Sequence, residues 1–420
     1  MRKIKGIMRN SAKSIVVAVI MGLMAFSLTS GSKRLFAGET DEVPGVTKDS
    51  IKIGQFGPFT GPIAIYGKTA HMATIIYNTV NEMGGVHGRK IVIISEDTAC
   101  QPVKGVAAVK KLIHQDKVFM LHGGMCSNVI VTAKKEILES GIPFMNLGGG
   151  SSRIITPFER QIFTPIFTSV VIGRSMVDFA MSKPGTKRVA VIKHTGEWGM
   201  SFYEPIVEWL KEKYGITPVA DLDFERGGTD STPYVLKVKK AKADVLLVVT
   251  YPPPTSIILR DSYKLGLRIP IISTSGTGVG EQFEKVGIPE ANRYFFAPYW
   301  FKYPLDHPKM EKFREMLKKD YPKDKWDVFA PLGIGGAMIV VEALRKVGPD
   351  LTREKLIAAL ETFNKFEKWE PIEYPFSTPT TFSPTDHQGF DYVAFSVMDV
   401  DAKKFCVLYD WSDYEKLRKK

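Results

Sequence analysis

From residue 50 onward, short apolar segments alternate with longer segments of helical periodicity. The predicted strands of the first stretch are Ile51–Phe56, Lys90–Glu96, Val118–His122 and Pro143–Asn146, and the predicted helices lie near 68–82, 102–115 and 128–139. Apolar residues recur every three or four positions in the last two helices, as on the packed face of a helix. Short apolar strands separated by helices are typical of a parallel sheet that is covered on both faces. The pattern therefore predicts an α/β fold.

A second alternation of the same kind begins near Ser169. Its predicted strands are Arg188–Lys193, Val219–Phe224, Asp244–Val249 and Ile269–Thr274, and its predicted helices lie near 170–181, 200–213, 232–242 and 254–265. Further helices are predicted near 308–320, 328–347 and 352–362, before the strand-like segments Asp391–Asp399 and Lys404–Tyr409. A chain of 420 residues is long for one core and comfortable for two domains. We therefore expect two lobes, with a ligand site in the cleft between them.

The first 37 residues have the features of an export signal. They contain seven Lys or Arg residues and no Asp or Glu, and the apolar run Ile15–Leu28 is too short to span a membrane. We expect cleavage after Ala37 or, as an alternative, near Gly31, and a periplasmic location. No cysteine follows the run until Cys100, which argues against a lipid anchor. Of the net charge of +12, +5 remains after cleavage, and so modest a basic excess argues against a nucleic-acid partner.

The segment after the first strand, Gly57–Gly67, is rich in glycine and proline and leads into a helix. Such loops bind ligands in open α/β sheets, glycine lets a ligand approach the backbone, and Tyr66 offers an aromatic face. Gly67-Lys68-Thr69 looks like the end of a Walker A phosphate loop, but five residues separate Gly67 from Gly61, where that motif has four. Pro62 also removes a backbone donor. The segment predicts a ligand loop and argues against nucleotide binding, and we expect no cofactor.

Export would place the three cysteines in an oxidising compartment. Cys100 and Cys126 each end a predicted strand of the same sheet, so neighbouring strands would bring them within bridging distance. We predict a Cys100–Cys126 disulfide that stabilises its domain by about 3–4 kcal/mol. Cys406 is expected to be a small apolar side chain in a buried strand. The alternative, a metal-binding or nucleophilic thiol, has no support, since no pair among the seven His residues has metal-ligand spacing.

Three motifs occur in order along the first half of the chain: Gly61–Gly67, which belongs to the ligand loop described above, Asn81–Lys90 and Asp97–Pro102. Together, and behind an export signal, they resemble the leucine/isoleucine/valine-binding family of periplasmic solute-binding proteins of ABC importers. The likeness covers residues 48–420. It implies a type I periplasmic binding protein, an α/β fold in which two Rossmann-like lobes with parallel-sheet cores are joined by a multi-strand hinge and close on a solute.

The resemblance also implies where the lobes begin and end. Lobe one would comprise residues 48–168 and 300–372, and lobe two residues 169–299 and 373–420. The family carries a lobe-one disulfide at the positions of Cys100 and Cys126, in agreement with the pairing above. The expected partners are a small-molecule solute and the inner-membrane permease of an ABC importer, and we expect a monomer. An enzyme is not expected, because the sequence shows no nucleophile–base pair and no metal set.

The family's binding residues can be carried over to this chain. Tyr66 matches the aromatic wall of lobe one, whereas Trp198 and Tyr251 match aromatic residues of lobe two. The solute's carboxylate would be held by Ser127 and by the glycine loop after the fourth strand, with Gly149, Gly150 and Ser151 as candidates. A hydroxyl group and free N–H groups at a helix start suit an anion.

Each of these assignments has a structural alternative. The aromatic residues would then belong to the core, Ser127 or Asn128 would only cap the helix near 128–139, and the glycine run would be a tight connection. Tyr299 and Trp300 are expected to pack at the hinge rather than contact the solute. His387 is expected to be a structural residue of the hinge region.

One position departs from the family pattern. Amino-acid binders hold the α-ammonium with an acidic residue after the strand that ends near Thr274, where this chain has Ser275. A desolvated ammonium without a counter-charge costs several kcal/mol. We therefore predict a carboxylated apolar or aromatic solute. The alternatives are a branched-chain amino acid whose ammonium is held by an acid from elsewhere and, in a different class, an extracellular sensor module.

Overall fold

The structure is a computed structural model that describes residues 43–225, 227–274, 285–367, 379–389, 393–401 and 404–408. It contains two sheets, each flanked by helices, which confirms the predicted α/β architecture. The predicted export signal, residues 1–37, and Ser275 lie outside the described residues. In the part of the chain that is described, no helix is both long and apolar enough to cross a membrane.

The first sheet has five parallel strands in the order β2-β1-β3-β4-β5. They are β1 (Ser50–Gly57), β2 (Lys90–Asp97), β3 (Met120–Gly123), β4 (Phe144–Asn146) and β5 (Ile162–Phe163). The connecting helices are α1 (Lys68–Glu82), α2 (Pro102–Lys110) and α3 (Ser127–Glu139). The loops that follow β1, β3 and β4 leave the carboxyl edge of this sheet, where ligands bind in open α/β sheets.

The second sheet has seven strands in the order β12-β11-β10-β9-β8-β6-β7. They are β6 (Val189–Lys193), β7 (Ala220–Asp223), β8 (Val245–Val249), β9 (Ile271–Ser273), β10 (Phe295–Tyr299), β11 (Ala394–Asp399) and β12 (Lys404–Leu408). Five neighbouring strands are parallel: β7, β6, β8, β9 and β10. At one edge, β11 pairs antiparallel with β10, and β12 pairs antiparallel with β11. The apolar run of β8 is fully buried, as expected for a strand with helices on both faces.

Seven further α-helices have their bounds within the described residues. Four accompany the second sheet: α4 (Ser169–Met181), α5 (Glu197–Tyr214), α6 (Thr232–Lys240) and α7 (Pro252–Lys264). The others are α8 (Glu311–Asp320), α9 (Leu332–Val347) and α10 (Arg353–Leu360). Helices α8 and α9 pack against α1, so the chain returns to the first sheet after β10. This route agrees with a lobe boundary near residue 300, although the lobe boundaries themselves stay predictions.

Most of the predicted elements are present, and the differences have local causes. β5 was missed because it is two residues long, and β10 because Pro298 interrupts its apolar pattern. The helix predicted at 102–115 is α-helical only to Lys110. Lys111–Gln115 form a π-helical turn, closed by the Asp116 N–H donating to the carbonyl of Lys111.

Two backbone hydrogen bonds join the segment after β5 to residues 387–389. The Thr164 N–H donates to the carbonyl of His387, and the Gly389 N–H donates to the carbonyl of Thr164. The His387 ring stacks on Phe163, with ring centroids 3.7 Å apart, and its Nδ1 lies 3.0 Å from the carbonyl oxygen of Ile162. Burial is the main cause that lowers the pKa of His387. The contacts of His387 are therefore structural, as the sequence predicted.

Candidate functional site

The loop after β1 is held by Asp97 at the end of the neighbouring strand. The Asp97 carboxylate accepts hydrogen bonds from the backbone N–H groups of Phe59, Thr60 and Ala99, at 2.8, 3.2 and 3.0 Å, and from the Thr60 hydroxyl group. Burial acts to raise the pKa of Asp97, but these hydrogen bonds lower it below its ordinary value. The glycine- and proline-rich loop therefore has a fixed shape.

Tyr66 lies on the short 3₁₀-helix Ala64–Gly67 that ends this loop. Its ring meets Phe329 edge to face, with centroids 4.4 Å apart. Desolvation first, and then the nearby Tyr251 and Asp327, raise the pKa of Tyr66 well above its ordinary value, so the phenol is neutral. Asp327 is paired with buried Lys68 at 2.8 Å. Tyr66 thus presents an uncharged aromatic face.

Helix α3 begins directly after the disulfide that joins Cys100 and Cys126. The disulfide is present, with the Cα atoms 5.7 Å apart, which confirms the predicted pairing, and Cys406 is a half-buried free thiol in β12. The predicted capping of α3 by Ser127 or Asn128 is wrong, because the helix starts at Ser127 and no side chain caps it.

Ser127 instead accepts a hydrogen bond at its Oγ from the Ser151 N–H, at 3.1 Å. The N–H groups of Ser127 and Asn128, in the first turn of the helix, have no helical acceptor. Free N–H groups and the positive end of a helix dipole are groups that can bind an anion.

The glycine loop after β4 is organised by the buried amide of Asn146. Its oxygen accepts from the N–H groups of Gly148 and Gly149, at 3.3 and 2.9 Å, and its nitrogen donates to the carbonyl of Gly149 and the hydroxyl of Thr164, at 2.7 and 2.8 Å. A Cβ atom at Gly148 would lie 2.2 Å from the sulfur of Met125, so the Met125 side chain would have to move to admit one. The loop therefore brings the Gly150 backbone close to the start of α3.

The opposite wall is formed by aromatic residues at two helix starts. Trp198 is the second residue of α5, and Tyr251 immediately precedes α7. Their rings stack with centroids 4.6 Å apart and an interplanar angle of 16°. Trp300, which follows β10, contacts Phe167 at a centroid distance of 4.5 Å. All four rings line the same space as the loops of the first sheet.

The two walls enclose a space that we call the aromatic cavity. Its empty volume is about 490 Å³, including its opening to solvent. It is lined by Tyr66, Met125, Cys126, Ser127, Gly148, Gly150, Phe167, Trp198, Tyr251, Trp300, Phe329 and Leu332. Among the described residues, none that lines the cavity carries a charged side chain.

The structure brings together five of the predicted site residues in this cavity: Tyr66, Ser127, Gly150, Trp198 and Tyr251. Gly149 and Ser151 lie beside it instead. The backbone of Gly149 is bonded to Asn146, and the hydroxyl of Ser151 donates to Glu197 at 2.7 Å.

Several wall residues were not found from the sequence. The sequence assigns no role to Met125, and it predicts that Trp300 packs at the hinge. Trp300 is buried and also lines the cavity, and its predicted lack of contact with the solute stays a prediction. Phe167, Phe329 and Leu332 carry no sequence signal that separates them from ordinary core residues.

A second space, which we call the outer chamber, adjoins the aromatic cavity at the Trp198–Tyr251 pair. It is lined by Asn128, His194, Thr195, Gly196, Glu197, Trp198, Gly199 and Tyr251, and it is empty over about 550 Å³ including its opening. Its lining includes the polar side chains of Asn128, His194, Thr195 and Glu197. In the ranges that the structure covers, no group of three or more His, Cys, Asp or Glu side chains could hold a metal ion.

Polar contacts beside the cavity join the segment after the glycine loop to helices of the second sheet. The Arg153 guanidinium binds Glu204 of α5 through contacts of 2.8 and 2.9 Å. The Ser152 N–H donates to the hydroxyl of Ser169, the first residue of α4, at 3.0 Å. The two halves of the molecule therefore touch outside the cavity as well as around it.

Comparison with known proteins agrees with this architecture. The family model described as "Periplasmic binding protein" matches residues 50–404. The chain is 26% identical over 311 residues to "Leu/Ile/Val-binding protein homolog 7" of Brucella abortus (strain 2308), which covers 71% of this chain and 77% of that protein.

Solved structures share the fold. A fatty acid ABC transporter substrate-binding protein from Thermomonospora curvata has a TM-score of 0.75 and 22% identity, covering 90% of this chain and 96% of its own. A solute-binding protein of an ABC transporter from R. palustris, in complex with 4-hydroxybenzoate, has a TM-score of 0.73 and 21% identity, covering 88% of this chain and 100% of its own.

Proposed function

We propose a solute class for this chain, which belongs to the periplasmic binding protein family. Members of this family bind solutes for ABC importers and are not enzymes. The proposed solute is a small carboxylated molecule with an apolar or aromatic body, held in the aromatic cavity and delivered to an inner-membrane permease. The observation that carries this proposal is the aromatic cavity itself, with its uncharged lining between two walls. We propose that the protein acts as a monomer in the periplasm.

The apolar part of the solute is assigned to the space between Tyr66 and the stacked Trp198–Tyr251 pair. Aromatic pairs prefer offset-stacked or edge-to-face contacts, and each adds about 0.5–1.5 kcal/mol beyond the area it buries. Met125 and Leu332 extend the apolar lining. A solute with a flat ring or a short aliphatic chain would remove most of this surface from water.

The carboxylate is assigned to the start of α3. Ser127 contributes an N–H group and a hydroxyl group there, and the Gly150 N–H has no hydrogen-bond partner among the described residues. Charge-assisted hydrogen bonds from such donors are roughly twice as strong as neutral ones. An anion at this point would also interact favourably with the helix dipole.

Closure of the two halves would follow from contacts that the solute makes with both walls at once. Tyr66, Ser127 and Gly150 lie on the first-sheet side, whereas Trp198 and Tyr251 lie on the second-sheet side. A ligand shifts a conformational equilibrium only through its differential affinity for the two states. A solute that touches both walls only when the halves are together has that property.

The neighbours in structure are compatible with this solute class. One is named for a fatty acid and another was solved with 4-hydroxybenzoate, both of them carboxylated molecules with an apolar or aromatic body. The second candidate is a branched-chain amino acid, which is favoured by the Leu/Ile/Val name of the relative from Brucella abortus. Its α-ammonium would need a counter-charge that the aromatic cavity does not supply.

The proposal is tested by a thermal-shift screen of the mature chain with 4-hydroxybenzoate, phenylacetate, octanoate and leucine. A ligand at 100 times its Kd stabilises the folded state by about 2.7 kcal/mol, which gives a measurable rise in Tm. We expect at least one of the three carboxylates without an ammonium group to give a shift, because the aromatic cavity itself supplies no counter-charge. A shift with leucine alone favours the second candidate, and no shift with any of the four contradicts both.

A matched pair of variants ties the response to the cavity. Tyr66→Ala should reduce the affinity of the best ligand at least several-fold, because it removes one aromatic wall. Tyr303→Ala, a partly buried tyrosine that does not line the cavity, should leave that affinity unchanged. Equal affinities in wild type and Tyr66→Ala would remove Tyr66 from the site.

A further inference from the structure

Glu197 is the one carboxylate in the described lining of the two spaces. It is the first residue of α5 and lines the outer chamber next to Trp198. Its Oε1 accepts the hydroxyl of Ser151 at 2.7 Å. Its Oε2 is buried and has no hydrogen-bond partner. No ion pair of Glu197 with a described Lys, Arg or His is present, whereas Glu204 on the same helix is paired with Arg153.

A buried carboxylate oxygen without a donor is unfavourable. Leaving a buried polar group unsatisfied is destabilising, and more so when the group is charged. The position of Glu197 at the start of a helix explains why a negative charge is tolerated there, because the helix dipole favours it. It does not explain why Oε2 is shielded from water and yet receives no hydrogen bond. A donor supplied by the solute would satisfy this oxygen.

The surroundings of Glu197 favour a cationic donor over a neutral one. The stacked Trp198 and Tyr251 rings also border the outer chamber, and the faces of aromatic rings attract cations. Two carboxylates in contact repel each other, so a solute carboxylate is excluded from this position. A cationic nitrogen is favoured by both the carboxylate and the rings.

We propose that the outer chamber is a subsite for a cationic nitrogen of the solute, with Glu197 as its counter-charge and Trp198 and Tyr251 as its aromatic faces. This inference rests on the proposed function and narrows it to solutes that carry an ammonium or guanidinium group besides the carboxylate. The carboxylate binds at the start of α3 and the apolar body fills the aromatic cavity. Glu197 then selects between solutes of the same shape that differ in this nitrogen.

The test uses two pairs of ligands that differ mainly in the ammonium group. The first is 4-(aminomethyl)benzoate against 4-(hydroxymethyl)benzoate, in which the ammonium lies far from the carboxylate. The second is leucine against 4-methylpentanoate, in which it lies close. For each pair, calorimetric titration of the mature wild-type chain gives the ratio of the two affinities, and the proposal predicts a preference of about tenfold for the ammonium member of at least one pair.

Two variants show whether Glu197 causes that preference. Glu197→Gln keeps the shape and an acceptor for Ser151 but removes the charge, and it should reduce the ratio to about one. Glu208→Gln removes a charge from an exposed position of the same helix and should leave the ratio unchanged. A tryptophan fluorescence spectrum identical to that of wild type would show that Glu197→Gln is folded.

The outcomes separate this inference from the function on which it rests. Binding of the hydroxyl or aliphatic members, with no preference for ammonium in wild type or an unchanged ratio in Glu197→Gln, overturns the inference and leaves the proposed function standing. No binding of any of the four ligands overturns both. A preference that is lost in Glu197→Gln and retained in Glu208→Gln supports the subsite.

Discussion

The two walls of the aromatic cavity are built in different ways. On the first-sheet side, the chain is fixed by side chains that lie outside the cavity: Asp97 holds the loop after β1, Asn146 holds the glycine loop, and a disulfide holds the start of α3. On the second-sheet side, Trp198 and Tyr251 stand at helix starts and contribute their stacked rings to the cavity. The first-sheet wall contributes backbone N–H groups that are held from behind, and the second-sheet wall contributes side chains.

This difference indicates which wall binds the part that the solutes share and which wall distinguishes between them. A wall whose backbone is hydrogen-bonded from behind provides the same N–H groups for any anion. A wall made of side chains changes its chemistry when a single residue is replaced. We therefore assign the common carboxylate to the first-sheet side and the choice between solutes to the second-sheet side, where Glu197 also lies.

The largest expected effect is a loss of stability on removal of the disulfide that supports the first-sheet wall. Replacing both Cys100 and Cys126 with Ser should lower the free energy of unfolding by about 3–4 kcal/mol, because the cross-link restricts the unfolded chain. Urea unfolding of oxidised protein measures this loss, with Cys406→Ser, a half-buried free thiol, as the control. A loss below about 1 kcal/mol would show that the bond does not hold this wall.

The second expected effect concerns the side-chain wall. Trp198→Ala should weaken binding of the best ligand by about tenfold or more, because a buried aromatic anchor is removed, with little change in stability. Calorimetric titration and a melting curve measure the two quantities separately. An unchanged affinity would contradict a role of Trp198 in solute binding. A loss of stability as large as that of the cysteine variant would contradict the difference proposed between the two walls.

The smallest expected effect concerns the contact between the two sides. Arg153 and Glu204 are 46% and 44% exposed, so their ion pair should contribute no more than about 1 kcal/mol to the closed arrangement. Arg153→Ala should reduce ligand affinity by about two- to fivefold although it touches no ligand. Lys135→Ala, which breaks an exposed pair within one helix, is the control and should have no effect. Equal results for the two variants would argue against a role of the Arg153 pair in closure.

The sequence predicted the parts of this molecule that depend on local pattern. The strand–helix alternation gave the two sheets, and the positions of Cys100 and Cys126 at strand ends gave the disulfide. Tyr66 could be placed at the cavity because loops at the carboxyl edge of a sheet are ligand positions. Trp198 and Tyr251 were implied by the resemblance to the leucine/isoleucine/valine-binding family. These features follow from short stretches of chain.

The remaining features depend on contacts between distant segments. Phe167, Trp300 and Phe329 reach the cavity from parts of the chain whose apolar residues look like any other core residues. Glu197 stands next to a predicted site residue, but its unsatisfied oxygen is visible only once the fold has buried it. The family pattern places an acidic residue in the loop after β9, whereas Glu197 lies at the start of α5.

The most direct test of the central claim is a crystal structure of the mature chain with the carboxylate that binds most tightly in the screen. The account predicts that the body of the ligand lies between Tyr66 and Trp198, with a carboxylate oxygen about 3 Å from the N–H of Ser127 or Gly150. A ligand bound outside the aromatic cavity, or one whose carboxylate points into the outer chamber towards Glu197, would contradict it.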